Sequence, residues 1–194
     1  MRAFFCLELD EEIQAGLARI IGRLQRRITS RVTWVPEENL HVTLNFLGEV
    51  DQTNLPRLQS AAEQLLAELS PFTWQLDRLG CFPRPERPRV IWAGAQREPQ
   101  EIQVLHADLE TQLQLLGYPP ERGRFTTHVT LGRVKERGPG QAQIAPELER
   151  VPAFAYRVNS CGLTLMESRL TPAGAVYRPC FRLAFPNSAQ DHGL

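Results

Sequence analysis

Lysine is nearly missing from this 194-residue chain: Lys135 is the only one, and the other Lys/Arg-type cations are all arginine. The sequence around it, Arg133-Val134-Lys135-Glu136-Arg137, forms no nucleotidyl-lysine motif, which excludes an ordinary ATP-dependent ligase. Codon bias accounts for the arginine excess as well as function does, although arginine near a cleft binds a phosphate or stacks on a base better than lysine. Cysteine is sparse too. Cys6, Cys81, Cys161 and Cys180 are scattered without a C-x-x-C pair, so neither a disulfide framework nor a zinc site is expected. The formal charge is +0, and bulk electrostatics announce no nucleic-acid partner. No apolar run approaches the ~20 residues of a membrane-crossing helix. The apolar stretch near the N-terminus is interrupted by Glu8 and by Asp10 to Glu12, with no small-residue cleavage site. It reads as a first strand rather than a signal peptide, and the protein is expected in the cytoplasm.

What is present is an apolar fraction of 42% and a charged fraction of 23%, the balance of a soluble globular chain. The length suits one domain of ordinary size, or two small lobes sharing a core. Only four histidines occur, and two of them open copies of one tetrapeptide: His41-Val42-Thr43-Leu44 returns as His128-Val129-Thr130-Leu131. In an extended strand, side chains at i and i+2 share a face. Each copy would therefore present an imidazole and a hydroxyl on one side, with Val and Leu on the other. If the halves pack about an approximate two-fold axis, two His/Thr pairs converge on one cleft. There the imidazoles can serve as general acid and general base, and the hydroxyls suit phosphate oxygens. A lone His in an amphipathic strand is more often structural, and a duplicated core strand needs no chemistry. Such a duplication needs only the apolar pair, however, and here the polar pair is repeated as well.

Periodicity places these copies among helices and strands. Arg2 to Leu9 reads as a strand. Asp10 caps a helix to about Arg27, with Ile13, Leu17, Ile20, Ile21 and Leu24 on one stripe. Val32 to Val35 and Leu40 to Leu47 read as strands, and Asp51 to Leu69 as a second helix. Phe72 to Leu79 and Val90 to Ala93 are expected strands, flanking a loop through Pro83 to Pro88 that is too proline-rich for either helix or central strand. Pro99 to Leu116 is a third helix closed by Gly117. His106, on that helix, is given no role. Thr127 to Val134 is the second motif strand. Gly138-Pro139-Gly140 reads as a flexible joint and Ala145 to Glu149 as a helical turn. Ala153 to Glu167 and Gly174 to Phe185 are long strands joined through Ser168 to Pro172, and Asn187 to Leu194, with His192, reads as frayed. Strands interleaved with helices argue for an α/β or α+β class with antiparallel pairing.

With both His-x-Thr-Leu copies on strands, the chain resembles the 2H phosphoesterases, more closely the LigT-like RNA 2′,3′-cyclic phosphodiesterases, a group also described as 2′-5′ RNA ligases. The residues carrying the resemblance run from about 2 to 183. They include Arg2-Ala3-Phe4-Phe5, Trp34-Val35, Glu38 to Val50 around the first motif, Gly80-Cys81-Phe82-Pro83, Arg89 to Gly94, Phe125 to Arg133 and Ser168 to Tyr177. One departure is Thr127, where the family often has proline before the second histidine. The resemblance implies an α+β fold of two pseudo-symmetric lobes in a single domain spanning 1–194. Each lobe would be antiparallel sheet with helices packed outside, and a central cleft would hold both motifs. It also implies metal-independent hydrolysis of RNA 2′,3′-cyclic phosphate ends to 2′-phosphates, with no cofactor, by a monomer acting on RNA 3′ ends or nucleoside 2′,3′-cyclic phosphates and not on membranes.

On that basis His41 is assigned as the acid and His128 as the base, and Thr43 and Thr130 as donors to the non-bridging phosphate oxygens. Arg133 is assigned to clamp phosphate or base, and Phe46 to stack a nucleobase. Beside these stand plainer readings: β propensity for each Thr, a solvated strand-end charge for Arg133, and core packing for Phe46. Arg124 and the arginines between Pro83 and Arg89 are candidates for guiding an RNA strand, and Tyr177 and Gly174 read as structural. Three rivals stay open. The chain could ligate RNA reversibly without ATP, bind an RNA end or nucleotide without turnover, or hold a metal on its two histidines. Neither motif supplies a nearby carboxylate or second His for that last role.

Overall fold

The computed structural model describes residues 1–135, 139–171 and 174–186. In chain order its elements are β1 (Arg2–Glu8), α1 (Glu11–Gln25), β2 (Val32–Trp34), β3 (His41–Glu49), α2 (Leu55–Leu66), β4 (Phe72–Leu76), β5 (Arg78–Phe82), β6 (Val90–Gly94), α3 (Gln100–Leu115), β7 (His128–Val134), α4 (Ile144–Glu149), β8 (Tyr156–Ser160), β9 (Gly162–Thr171) and β10 (Gly174–Ala184). Short 3₁₀ turns precede β3, α2 and α4. The result is the expected mixture of antiparallel sheet and helices.

Eight strands form one sheet in the order β10-β9-β1-β3-β7-β6-β5, with β2 also paired to β7; β4 and β8 pair separately. Every pairing is antiparallel. Strand alternation divides the main sheet into two faces. Ala3, Phe5 and Leu7 of β1, Val42 and Leu44 of β3, and Val129 and Leu131 of β7 enter one apolar core, together with the buried stripes of α1, α2 and α3. Burying each such Leu or Phe contributes roughly 1.5–3 kcal/mol. Phe4, His41, Thr43, Thr130 and His128 occupy the opposite parity and so face away from that core.

The helices follow their sequence signals with two differences, the first being that the expected helix from Asp51 to Leu69 opens as a 3₁₀ turn over Gln52–Asn54 and is α-helical only over Leu55–Leu66. Asp10 occupies the cap of α1, but its side chain makes no cap hydrogen bond. Glu11 and Glu12 in the first turn supply the favourable charge instead. At the end of α3, Gly117 takes φ +89, and the Tyr118 N–H returns to Leu113 O at 3.0 Å. That left-handed turn closes the helix in the Schellman manner and favours glycine.

Two expected strands prove to be pairs of strands. Phe72 to Leu79 breaks at Asp77, with β4 going to the small sheet and β5 to the large one. Ala153 to Glu167 likewise breaks at Cys161 into β8 and β9, which again part company between the two sheets. Continuous apolar patterning reports extended backbone, not which sheet receives it. β5 carries the strand on through Gly80 to Phe82, up to the expected loop at Pro83. Pro139 and Gly140 begin the 3₁₀ turn before α4. Gly138, Pro172, and the segment 187–194 with His192 lie outside the described residues.

Candidate active site

The site grows from one feature of the sheet. The strands β3 and β7 meet at a single pair, Val42 opposite Val129, and then diverge. Beyond that pair each strand would expose an unpaired edge, which a buried backbone does not tolerate. Other groups fill both edges. The Val35 N–H donates to Leu131 O at 2.9 Å, and β2 continues along β7. On the other side, the His106 Nδ1–H donates to Leu44 O at 3.1 Å, and the Phe46 N–H donates to a Glu121 carboxylate oxygen. Leu44 and Leu131 are the same position of the repeated tetrapeptide, so a side chain does for β3 what a backbone amide does for β7.

Because the Val42–Val129 pair is antiparallel, His41 lies alongside Thr130 and Thr43 alongside His128, all four on one face. A local two-fold passes through the pair. Both expected His/Thr sets are thus brought together on the two central strands. His41, Thr43 and Thr130 line a cleft of about 490 Å³, together with Phe4, Phe46, Trp34, Arg133 and Tyr177. His128 is not among the residues lining that volume. It lies past Thr43, in a pocket made by Phe82, edge-on with ring centroids 5.1 Å apart, and by Trp92 at 6.4 Å. Trp92 reaches this position over Gly80, where an added Cβ would collide with its ring.

The tautomers follow from the backbone. The Nδ1–H of His41 donates to Asn39 O at 2.8 Å, and the Nδ1–H of His128 donates to Thr126 O at 2.8 Å. Each carbonyl lies two residues before its histidine. Fixing the proton on Nδ1 leaves Nε2 as the basic nitrogen. For His41, Nε2 accepts from the Thr43 hydroxyl at 2.9 Å. Among the described residues the Thr130 hydroxyl makes no such bond, so the two His/Thr pairs are alike in placement and different in bonding.

Neither imidazole favours its charged form. Burial pushes His41 from 6.5 down to about 4; the Asn39 carbonyl and the Glu8 charge oppose this, while His128 and Arg133 reinforce it. Burial also lowers His128, with the Thr126 carbonyl and Glu98 opposing and Arg133 reinforcing. Phe4 stacks on His41 at 4.9 Å and 22°, and Tyr177 meets it edge-on at 5.3 Å, which explains the dehydration. Glu8 itself is held below the ordinary carboxylate range. Its own burial works against this, and hydrogen bonds from Arg182 and Thr164 outweigh it.

Phe46 is 54% exposed at the cleft and tilts against Phe4, so the core-packing reading of it does not hold. Arg133 is exposed, lines the same cleft, and its charge is felt by both histidines. The arginines of the Pro83–Arg89 loop and Arg124 do not line it. Tyr177, read as structural from sequence, stands against His41, and burial pushes its phenol above the ordinary range. A lone Tyr at the start of a late strand carries no signal that would have separated it from core. Among the described residues no three His, Cys, Asp or Glu side chains gather to hold a metal ion. No helix among them is long and apolar enough to cross a membrane.

With this geometry in hand, comparison with known proteins finds a match to LigT-like phosphoesterases over residues 7–92 and 94–177. An RNA 2′,3′-cyclic phosphodiesterase of Methanothermobacter thermautotrophicus is 34% identical over 181 residues, covering 91% of this chain and 95% of that one. A crystal structure from Thermus thermophilus superposes with TM-score 0.79 at 29% identity, over 95% of this chain and 98% of that one. Crystalline Escherichia coli LigT in complex with 3′-AMP gives TM-score 0.75 at 27% identity, with the same coverages of 95% and 98%.

Proposed function

Because the chain belongs to the LigT-like phosphoesterase family, and is therefore an enzyme, we propose that it hydrolyses 2′,3′-cyclic phosphates at RNA ends to 2′-phosphates. The observation that carries this reading is the pair of Nδ1-anchored imidazoles flanking the Val42–Val129 pair, each beside the threonine of the other strand. In-line displacement at phosphorus puts the attacking water and the leaving 3′ oxygen on opposite sides. Two imidazoles related by a two-fold suit that geometry: one takes a proton from water and the other gives one to the leaving oxygen. His128 is the base in this scheme and His41 the acid.

Thr43 and Thr130 donate to the non-bridging oxygens. Thr43 does so by exchanging its present bond to His41 Nε2 for one to phosphate, which frees that nitrogen for the leaving oxygen. Arg133 balances the negative charge from the cleft wall, and the exposed ring of Phe46 offers a face on which a base can stack. The substrates on this reading are RNA 3′ ends and nucleoside 2′,3′-cyclic phosphates, and the 3′-AMP and phosphate held by the Escherichia coli relative are of related chemistry. The test is product analysis on a short RNA with a 2′,3′-cyclic end, resolving 2′- from 3′-phosphate. A 2′-phosphate formed equally well in EDTA is expected; an intact cyclic end, a 3′-phosphate or loss of turnover in EDTA would overturn the reading.

A further inference from the structure

The two histidines differ in what stands behind them. Each Nδ1–H donates to a carbonyl, and that carbonyl belongs to a peptide group whose N–H points the other way. For His41 the peptide joins Asn39 to Leu40, and the Leu40 N–H donates to Glu37 O at 3.1 Å, a neutral backbone acceptor. For His128 the peptide joins Thr126 to Thr127, and the Thr127 N–H donates to Glu98 Oε1 at 2.6 Å. Glu98 lies just before α3. Gln103 Nε2 steadies its carboxylate at 3.0 Å and also reaches Thr127 Oγ1 at 3.3 Å. Thr127 is only 1% exposed, so water does not compete for this amide.

We propose that Glu98 is a positioning residue for His128, acting through the Thr126–Thr127 peptide group. A carboxylate accepting from an amide N–H draws electron density toward that amide's oxygen. The oxygen then accepts more strongly from the His128 Nδ1–H, since hydrogen bonds in a chain polarise one another and those to ionised groups are the stronger ones. The ring is held in one tautomer and its Nε2 becomes more basic. His41 has no such chain. Glu8 acts on His41 only through space, because its oxygens are engaged by Arg182 at 2.8 and 3.1 Å and by Thr164 at 2.9 Å. Among the charged groups facing His128, Arg133 disfavours protonation and Glu98 favours it, with His41 a second imidazole across the strand pair. An almost symmetric pair of histidines is thereby given a direction, with His128 the better proton acceptor. This rests on the phosphoesterase reading for its consequence in turnover, but not for the relay itself.

Two variants of the full chain separate holding from polarising. Glu98→Gln keeps an oxygen for the Thr127 N–H and removes the charge; Glu98→Ala removes both. NMR titration of ¹⁵N-labelled protein follows tautomer and protonation of both rings, and turnover of a nucleoside 2′,3′-cyclic monophosphate on the same samples gives kcat and KM. Glu98→Ala is expected to lower kcat by about 10–100-fold, the range seen for groups that orient metal-bound histidines taken as a guide, with little change in KM. His128 should lose proton affinity and part of its Nδ1–H tautomer while His41 keeps both. Glu98→Gln should restore the tautomer and much of the rate but not the proton affinity. If His128 titrates as in the unmodified protein in both variants, the relay is wrong; if both histidines shift together, Glu98 only braces the fold. Should Glu98→Ala fail to fold, the Glu98→Gln titration alone decides by the same criterion. Unmodified protein that leaves the cyclic nucleotide intact would overturn the substrate reading, while the titration would still judge the relay.

Discussion

The pH dependence of turnover should differ between free and substrate-bound protein, by an amount set by His41. Its fall from 6.5 to about 4 corresponds to roughly 3 kcal/mol against charging the ring. A cyclic phosphodiester brings one negative charge to that ring. At ~4 Å and an effective dielectric constant of ~20, one unit charge is worth about 4 kcal/mol to an imidazolium. The two magnitudes are comparable, so substrate recovers the proton affinity that burial removed. Since kcat/KM reports groups in the free protein and kcat those in the complex, and the general acid must keep its proton, the alkaline limb of kcat/KM should lie below pH 6.5, with the kcat profile displaced to higher pH. The limbs belong to the coupled pair and not to either ring alone. The assay is initial rate against pH on a nucleoside 2′,3′-cyclic monophosphate, fitted separately for the two parameters. Superimposable profiles, or a kcat profile lying to the acid side, would refute the reasoning.

The remaining predictions concern single groups. His41→Ala and His128→Ala should each cost roughly 10²–10⁴-fold in kcat, and the double variant less than the product of the two, because proton removal and donation act as one unit. Thr43→Ala and Thr130→Ala should each cost on the order of 3 kcal/mol in the barrier with the fold intact by circular dichroism; unchanged rates in both would assign the phosphate to other groups. Stability should decline as pH falls from about 6.5 toward about 4, because the unfolded chain then binds a proton that folded His41 refuses. His41→Gln should flatten that part of a Tm-against-pH curve. His106→Ala should lower stability by about 1 kcal/mol in urea unfolding, since it removes the bond to Leu44 O and the 4.0 Å stack on Phe125.

That last expectation gives His106 a structural role that the sequence reading did not assign, and the reason is physical. Nothing in the pattern of α3 separates His106 from any other half-exposed helix residue. Its partner is a backbone carbonyl 62 positions away, orphaned because two strands diverge after one pair. Strand divergence is a property of the assembled sheet and leaves no mark on residue type. The division of Ala153 to Glu167 between two sheets was hidden for the same reason. By contrast, His41, Thr43, His128 and Thr130 were legible because i, i+2 parity fixes a shared face before any tertiary contact forms. Duplication then made the convergence of the two sets the economical reading.

Parity also hid what matters most for direction. Two identical tetrapeptides on a local two-fold predict two equivalent imidazoles, and equivalence leaves acid and base interchangeable. What differs lies one peptide group upstream: a neutral carbonyl of Glu37 behind Leu40, and the carboxylate of Glu98 behind Thr127. The contact depends on residue type at position 127, because a proline there would have no N–H to donate. The groups that would react are the same in both tetrapeptides, and this one amide, outside them, makes the contact that distinguishes them. The same asymmetry orders the expected variants: removing Glu98 should move His128 and spare His41, whereas removing the Glu8 charge should move His41 and spare His128.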